Sequence, residues 1–200
     1  MSNPVVFYFD FSSPYSYLAG ELIDALAAKY GRTVDWRPML LGAVFKVTGS
    51  VPLVQIPVKG EYSLRDFSRS ARFHDLPFKF PEKFPLATLS AARAYYWLLE
   101  QDGDLARRFA QAVFRAYWVD GRDISDLAVV QDIAAKLGIA PDALAEAVAK
   151  PEIKERLKQE TEGAIAKGIF GAPYFIVDAE PFWGVDRLPQ LEQWLKTGGF

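Results

Sequence analysis

The stretch Phe7-Tyr8-Phe9-Asp10-Phe11-Ser12-Ser13-Pro14-Tyr15-Ser16-Tyr17-Leu18 decides the reading of this chain. Residues 4–11 alternate and are β-branched or aromatic, the pattern of a strand. Pro14 stands where a first helical residue belongs, since its missing N–H costs nothing there. From Tyr15 the apolar positions Leu18, Leu22, Ile23, Leu26 and Ala27 recur at helical spacing up to Tyr30, and Gly31 closes the helix. A strand therefore runs straight into a Ser13-Pro14-Tyr15-Ser16 turn that opens a helix. With cysteines at the two outer positions this would be a Cys-x-x-Cys redox turn, yet the chain has no cysteine.

Working outward, Thr33 to Met39 reads as a second strand, so the first segment is a βαβ unit with a parallel pair. The middle changes character. Leu40 to Pro57 reads as a loop, Glu61 to Asp75 as a charged helix, and Leu76 to Pro85 as a proline-rich loop. Helical stretches follow at about 87–101, 104–118, 126–138 and 141–149, with Ser125 or Asp126 and then Pro141-Asp142 as their start signals. The chain then returns to α/β, with a helix over Glu152 to Lys167 and a hairpin of Tyr174–Val177 and Glu180–Trp183 around Asp178-Ala179. A last helix covers Arg187 to Leu195, capped by Asp186. The order βαβ, helices, αββα is an α/β thioredoxin-like topology. Residues 1–40 and 150–200 make the thioredoxin-like domain and 41–149 an all-helical insertion.

Composition removes whole classes of chemistry. Without cysteine there is no disulfide, no thiolate metal site and no cysteine nucleophile. His74 is the only histidine, which argues against a histidine metal cluster or a serine–histidine triad; no metal is expected. A net charge of −2 gives no support for nucleic-acid binding. The N-terminus lacks the basic start and apolar stretch of a secretory signal, and no apolar run nears the roughly 18 residues of a membrane span. A soluble cytoplasmic protein is the expectation.

Three segments carry candidate chemistry. Ser13 falls at a helix N-terminus, where free N–H groups and the helix dipole favour an anion such as a thiolate, and its hydroxyl can donate to one. On this segment alone the plain reading, Ser12 or Ser13 as a simple helix N-cap, is the commoner one. Ala172-Pro173 opens a strand, where the residue before the proline can offer its backbone to a bound peptide; an edge-strand proline is the plain alternative. In Trp183-Gly184-Val185-Asp186-Arg187, Asp186 can meet an ammonium while the following helix start meets a carboxylate, or Asp186 can simply cap that helix. Arg65, Arg69 and Arg72 share one helix face, read as a solvated or ion-paired surface, and His74 reads as structural or exposed. Tyr95, Tyr96 and Trp97 read as helix packing.

Together these residues resemble the 2-hydroxychromene-2-carboxylate isomerase family, DsbA-like in fold and related to the kappa-class glutathione transferases. The matches are Phe9-Asp10-Phe11 with Ser13-Pro14-Tyr15-Ser16-Tyr17-Leu18, then Phe45-Lys46 with Thr48-Gly49, Phe84-Pro85, Trp118 with Asp123-Ile124, and Phe170-Gly171-Ala172-Pro173 through Trp183-Gly184 and Asp186-Arg187. The chain departs from the family pattern at Ser50 and Ala87, where Asn is common, and at Tyr174, which is bulkier than usual. The resemblance implies glutathione as cofactor, with Ser13 beside its sulfur. Ala172, Pro173, Trp183, Gly184, Val185, Asp186 and Arg187 would hold the tripeptide. It further implies a homodimer acting on a small aromatic carboxylate in naphthalene-type catabolism. Reversible thiolate addition would interconvert 2-hydroxychromene-2-carboxylate and trans-o-hydroxybenzylidenepyruvate. Lys46 is read as the partner of the substrate carboxylate, a solvated loop lysine being the plain alternative, with Ser50, Phe84 and Trp118 on the substrate side. A kappa-like glutathione transferase would use the same cofactor site but release a conjugate. A non-catalytic thioredoxin-fold binding module would bind without turnover. Disulfide exchange is excluded for want of thiols.

Overall fold

The computed structural model describes residues 3–200. The alternating residues of the first segment form β1 (Val5–Phe9), and the Ser13-Pro14 signal opens α1 (Pro14–Ala28). Strand β2 (Val34–Pro38) returns parallel to β1, with Val5 opposite Val34 and Phe7 opposite Trp36. Helices α2 (Leu41–Thr48), α3 (Lys59–Phe73), α4 (Leu89–Leu99), α5 (Gly103–Trp118), α6 (Leu127–Ala135), α7 (Pro141–Ala149) and α8 (Pro151–Ala166) follow. Strands β3 (Tyr174–Val177) and β4 (Glu180–Trp183) then precede α9 (Leu188–Thr197). The sheet order is β2-β1-β3-β4, with β3 antiparallel to both of its neighbours.

Strand β1 is central and buried on both faces, as its near-continuous apolar sequence requires. Val5, Phe7 and Phe9 enter the main core, where Phe7 stacks on Phe175 at 5.2 Å and meets Trp36 edge-on at 5.0 Å. Val6 and Tyr8 point to the other face, which Met39, Val44, Ala164 and Ile169 close. The helical readings at 95–97 hold: Tyr95 and Tyr96 are buried and donate to the carbonyls of Trp36 and Pro38, tying α4 to the end of β2.

Three expectations need correction. Residues 41–48 are a helix, not a loop. Its N-cap, Leu40, has no capping side chain, and the Leu41 N–H instead donates to the Asp10 carboxylate at 2.8 Å, so the local signal is absent. Asp186 does not cap the last helix. It lies in a 3-10 turn (Val185–Arg187) and pairs with Arg187 at 3.2 Å, and α9 starts without a side-chain cap. Helix α7 starts after Ala140, with Pro141 in its first turn and no capping side chain, whereas Asp126 does cap α6. Among the described residues no helix is long and apolar enough to cross a membrane.

Candidate active site

Ser13 is the N-cap of α1, 5% exposed, with extended backbone (φ −97°, ψ 117°). Its Oγ accepts the Ser16 N–H at 3.1 Å and donates to the Ala172 carbonyl at 3.2 Å. Pro14 has no N–H, and the Tyr17 N–H goes to the Ser13 carbonyl at 3.1 Å. Of the first-turn donors, Tyr15 N–H is left for a ligand, at the positive end of the helix dipole. The Ala172–Pro173 peptide is cis, and Pro173 in turn accepts the Gly184 N–H at 3.0 Å. The helix start, the strand start and the Trp183–Arg187 segment therefore meet at one point.

Beneath them Asp10, 4% exposed, gathers three donors. These are Ser12 N–H and Leu41 N–H, each at 2.8 Å, and the Thr88 hydroxyl at 3.0 Å. Burial raises its carboxyl above the ordinary carboxylate value, and the three hydrogen bonds only partly offset that. Asp10 thus clamps the Ser12-Ser13 turn, the start of α2 and the approach to α4 around one carboxylate. The sequence reading missed this role, because its partners at 41 and 88 are distant in the chain.

A cavity of about 950 Å³ opens above Ser13. One side is formed by Gly171, Ala172, Pro173 and Trp183 to Arg187. Two glycines shape it. A Cβ on Gly171 would fall 2.5 Å from Trp183 Nε1, so the indole packs on bare backbone there. Gly184, at φ +108°, lets the Asp186 carboxylate fold back to where a Cβ would stand, 2.3 Å away. The opposite side is one face of α3, presenting Lys59, Tyr62, Ser63, Asp66, Phe67 and Ser70. Leu41, Phe45, Leu53, Ile56 and Phe84 add an apolar stretch between them. Across the α1–α3 contact the Tyr15 hydroxyl donates to Asp66, which also takes Arg69 and, at 3.5 Å, the Ser70 hydroxyl.

The structure brings Ser13, Ser50, Phe84, Ala172, Pro173, Trp183, Gly184, Val185, Asp186 and Arg187 to this cavity. Lys46 does not line it. That residue is exposed on the outer side of α2, while the lysine on the cavity wall is Lys59, for which no ion pair is present among the described residues. Trp118 does not line it either. Fully buried, it donates from Nε1 to the Phe11 carbonyl at 2.9 Å and backs Phe84 at a ring distance of 5.7 Å. Arg65, Arg69 and Arg72 lie along a separate shallow groove on α3, Arg69 paired with Asp66. His74 ends α3, where burial pushes its pKa down. Sequence reasoning had no signal for Tyr15, Asp66 or Lys59 as cavity residues.

Residues 4–196 match the model of the DSBA-like thioredoxin domain. A 2-hydroxychromene-2-carboxylate isomerase of Sphingobium xenophagum is 31% identical, the match covering 98% of this chain and 99% of that protein. Glutathione S-transferase kappa 1 of Caenorhabditis elegans is 29% identical over 90% of this chain and 85% of its own. The solved structure of a 2-hydroxychromene-2-carboxylate isomerase superimposes with a TM-score of 0.87 at 29% identity, covering 96% of this chain and 94% of that one. The chain therefore belongs to the DSBA-like thioredoxin-domain enzymes, in the family of the 2-hydroxychromene-2-carboxylate isomerases.

Proposed function

We propose that the protein is a cytoplasmic, glutathione-dependent isomerase that interconverts 2-hydroxychromene-2-carboxylate and trans-o-hydroxybenzylidenepyruvate in aromatic catabolism. The observation that carries this reading is the Ser13 hydroxyl, held at a helix start against Ala172 on a deep cavity, in a chain without a thiol of its own. The cavity residues fit glutathione. Lys59 and Arg187 are cations for its carboxylates, Asp186 is an anion for its ammonium, and Gly171 and Gly184 let Trp183 and Asp186 pack close beside Ala172.

When bound, glutathione supplies the nucleophilic sulfur. The protein's own groups do the rest. The Ser13 proton, directed at the Ala172 carbonyl in the free protein, turns to the anionic sulfur, while the Ser16 N–H keeps the oxygen in place. The α1 N-terminus and the Tyr15 N–H favour the negative charge. Leu41, Phe45, Leu53, Ile56 and Phe84 offer an apolar wall against which an aromatic ring excludes water.

The test is an absorbance assay on the chromene carboxylate with and without glutathione, for wild type and Ser13→Ala. Isomerisation should require glutathione, regenerate it, and fall in the variant. Turnover without glutathione would overturn the reading. Loss of free glutathione into a stable conjugate would instead align the chain with its kappa-class relatives.

A further inference from the structure

We infer that Tyr15 selects the second ligand by its hydroxyl group: the Tyr15 phenolic oxygen, its own proton given to Asp66, presents a lone pair to the cavity and accepts a hydrogen bond from a ligand O–H. This rests on the function proposed above, and it names a feature of the substrate that the site reads.

Asp66 fixes the direction of that proton. Its carboxylate accepts from Tyr15, Arg69 and Ser70. Although burial works to raise its pKa, those three donors outweigh burial and hold it below the ordinary carboxylate value, so Asp66 is ionised and has no proton to return. An ionised carboxylate only accepts, so Tyr15 must be the donor. Burial first, and then the Asp66 carboxylate, push the Tyr15 phenol up, so it keeps its proton across the whole working range. With that proton committed, the only unmet capacity of the Tyr15 oxygen is to accept. Both Tyr15 and Asp66 line the cavity, and the Tyr15 ring is held edge-on against Phe67 at 5.1 Å, which fixes where the oxygen stands.

Tyr62, on α3 one turn before Asp66, has the opposite polarity. Its oxygen accepts from Arg69 at 2.7 Å, leaving its own O–H to donate at the exposed mouth. The wall thus offers an acceptor at Tyr15 and a donor at Tyr62. That order suits a ligand carrying a hydroxyl on its inner end and a carbonyl or carboxylate nearer the mouth. A phenol ether of the same shape would leave the Tyr15 lone pair facing an oxygen with nothing to give.

The test compares equilibrium binding of o-hydroxybenzylidenepyruvate with its o-methoxy ether, by calorimetry, in protein saturated with S-methylglutathione so that no turnover occurs. Wild type should bind the hydroxyl compound about tenfold tighter. In Tyr15→Phe, which keeps the ring against Phe67, the preference should shrink to within about twofold, chiefly through loss of the hydroxyl compound. In Asp66→Ala the phenolic proton loses its acceptor and turns to the cavity, and the preference should also collapse or reverse. A merely structural tie between α1 and α3 would weaken both compounds alike, and the affinity for S-methylglutathione reports whether each variant is folded. If wild type binds S-methylglutathione but shows no preference, or if Tyr15→Phe retains it, this inference is wrong while the glutathione site stands. If wild type binds none of the three compounds, both fall.

Discussion

Replacing Ser13 by alanine and by glycine separates two jobs that one hydroxyl performs. In the free protein Oγ caps α1 through the Ser16 N–H and ties it to the Ala172 carbonyl. Alanine removes the cap, which costs about 1 kcal/mol, and leaves the buried Ser16 N–H and the half-buried Ala172 carbonyl short of a bond, for a total of about 1–2 kcal/mol. In a chain of this length that lowers the thermal midpoint by about 2–8 °C. Glycine is a tolerable N-cap, within a few tenths of a kcal/mol of serine, so its loss should be visibly smaller. The sulfur sees neither difference. A hydrogen bond to an anion contributes about 1.5–3 kcal/mol, and about 1.4 kcal/mol corresponds to one pH unit, so both variants should raise the pKa of bound glutathione by about 1–2 units. Titrating the ultraviolet absorbance of the thiolate in the saturated complex measures this directly. Should both variants titrate like wild type while still binding glutathione, the helix start alone stabilises the sulfur and the Ser13 donor role is refuted.

Asp10→Asn should expose the clamp under the site. The folded pKa of Asp10 lies above its unfolded value, so its contribution to stability is fully present below the unfolded pKa and is lost as pH rises through the folded one. Urea melts should therefore show wild type gaining on the variant from pH 7 down to about 4; a gap that narrows toward acid would contradict this. Lys59→Ala should weaken glutathione binding about three- to tenfold, more at low salt, and Lys46→Ala should leave binding of the aromatic carboxylate within about twofold, both by calorimetry; an unchanged glutathione affinity would remove Lys59 from the site, and a lost carboxylate affinity would restore Lys46. Trp118→Phe should cost about 1–3 kcal/mol in urea unfolding by stranding the Phe11 carbonyl, with affinity for the aromatic carboxylate unchanged; a lost affinity without lost stability would place Trp118 at the substrate after all.

What the sequence made legible is what is decided locally. Pro14 and Ser13 announce the start of α1 because the cap and the proline act within one turn. The hairpin ends fall where expected because Asp178 and Ala179, both at positive φ, make a two-residue turn that fixes the register of β3 against β4. Helix α2 was not legible, since its cap is a side chain 31 residues upstream. The place of Lys59 on the cavity was not legible either. It depends on Gly60, where a Cβ would stand 2.5 Å from the Val54 carbonyl, so only glycine lets the start of α3 press on the preceding 3-10 turn (Leu53–Gln55) and bring Lys59 to the cavity. The Tyr15–Asp66 contact spans 51 residues and follows no periodicity.

The two serines of the turn are unequal, and that inequality explains how the scaffold works without cysteine. Ser16 Oγ is buried and has no hydrogen-bond partner among the described residues, so it offers nothing to the cavity. Ser13 Oγ has one bond it can exchange, the proton lent to Ala172, and one that fixes its position, the Ser16 N–H. A pair of thiols at these positions could close on each other. A pair of hydroxyls cannot, and the helix start that would have stabilised a cysteine thiolate is left facing open space. Under the proposed function, an outside thiol entering there finds its charge met by the dipole, the Tyr15 N–H and one movable proton. Under that reading the selectivity of the reaction comes from the α3 wall, which meets the turn through Tyr15, its hydroxyl on Asp66 and its ring on Phe67.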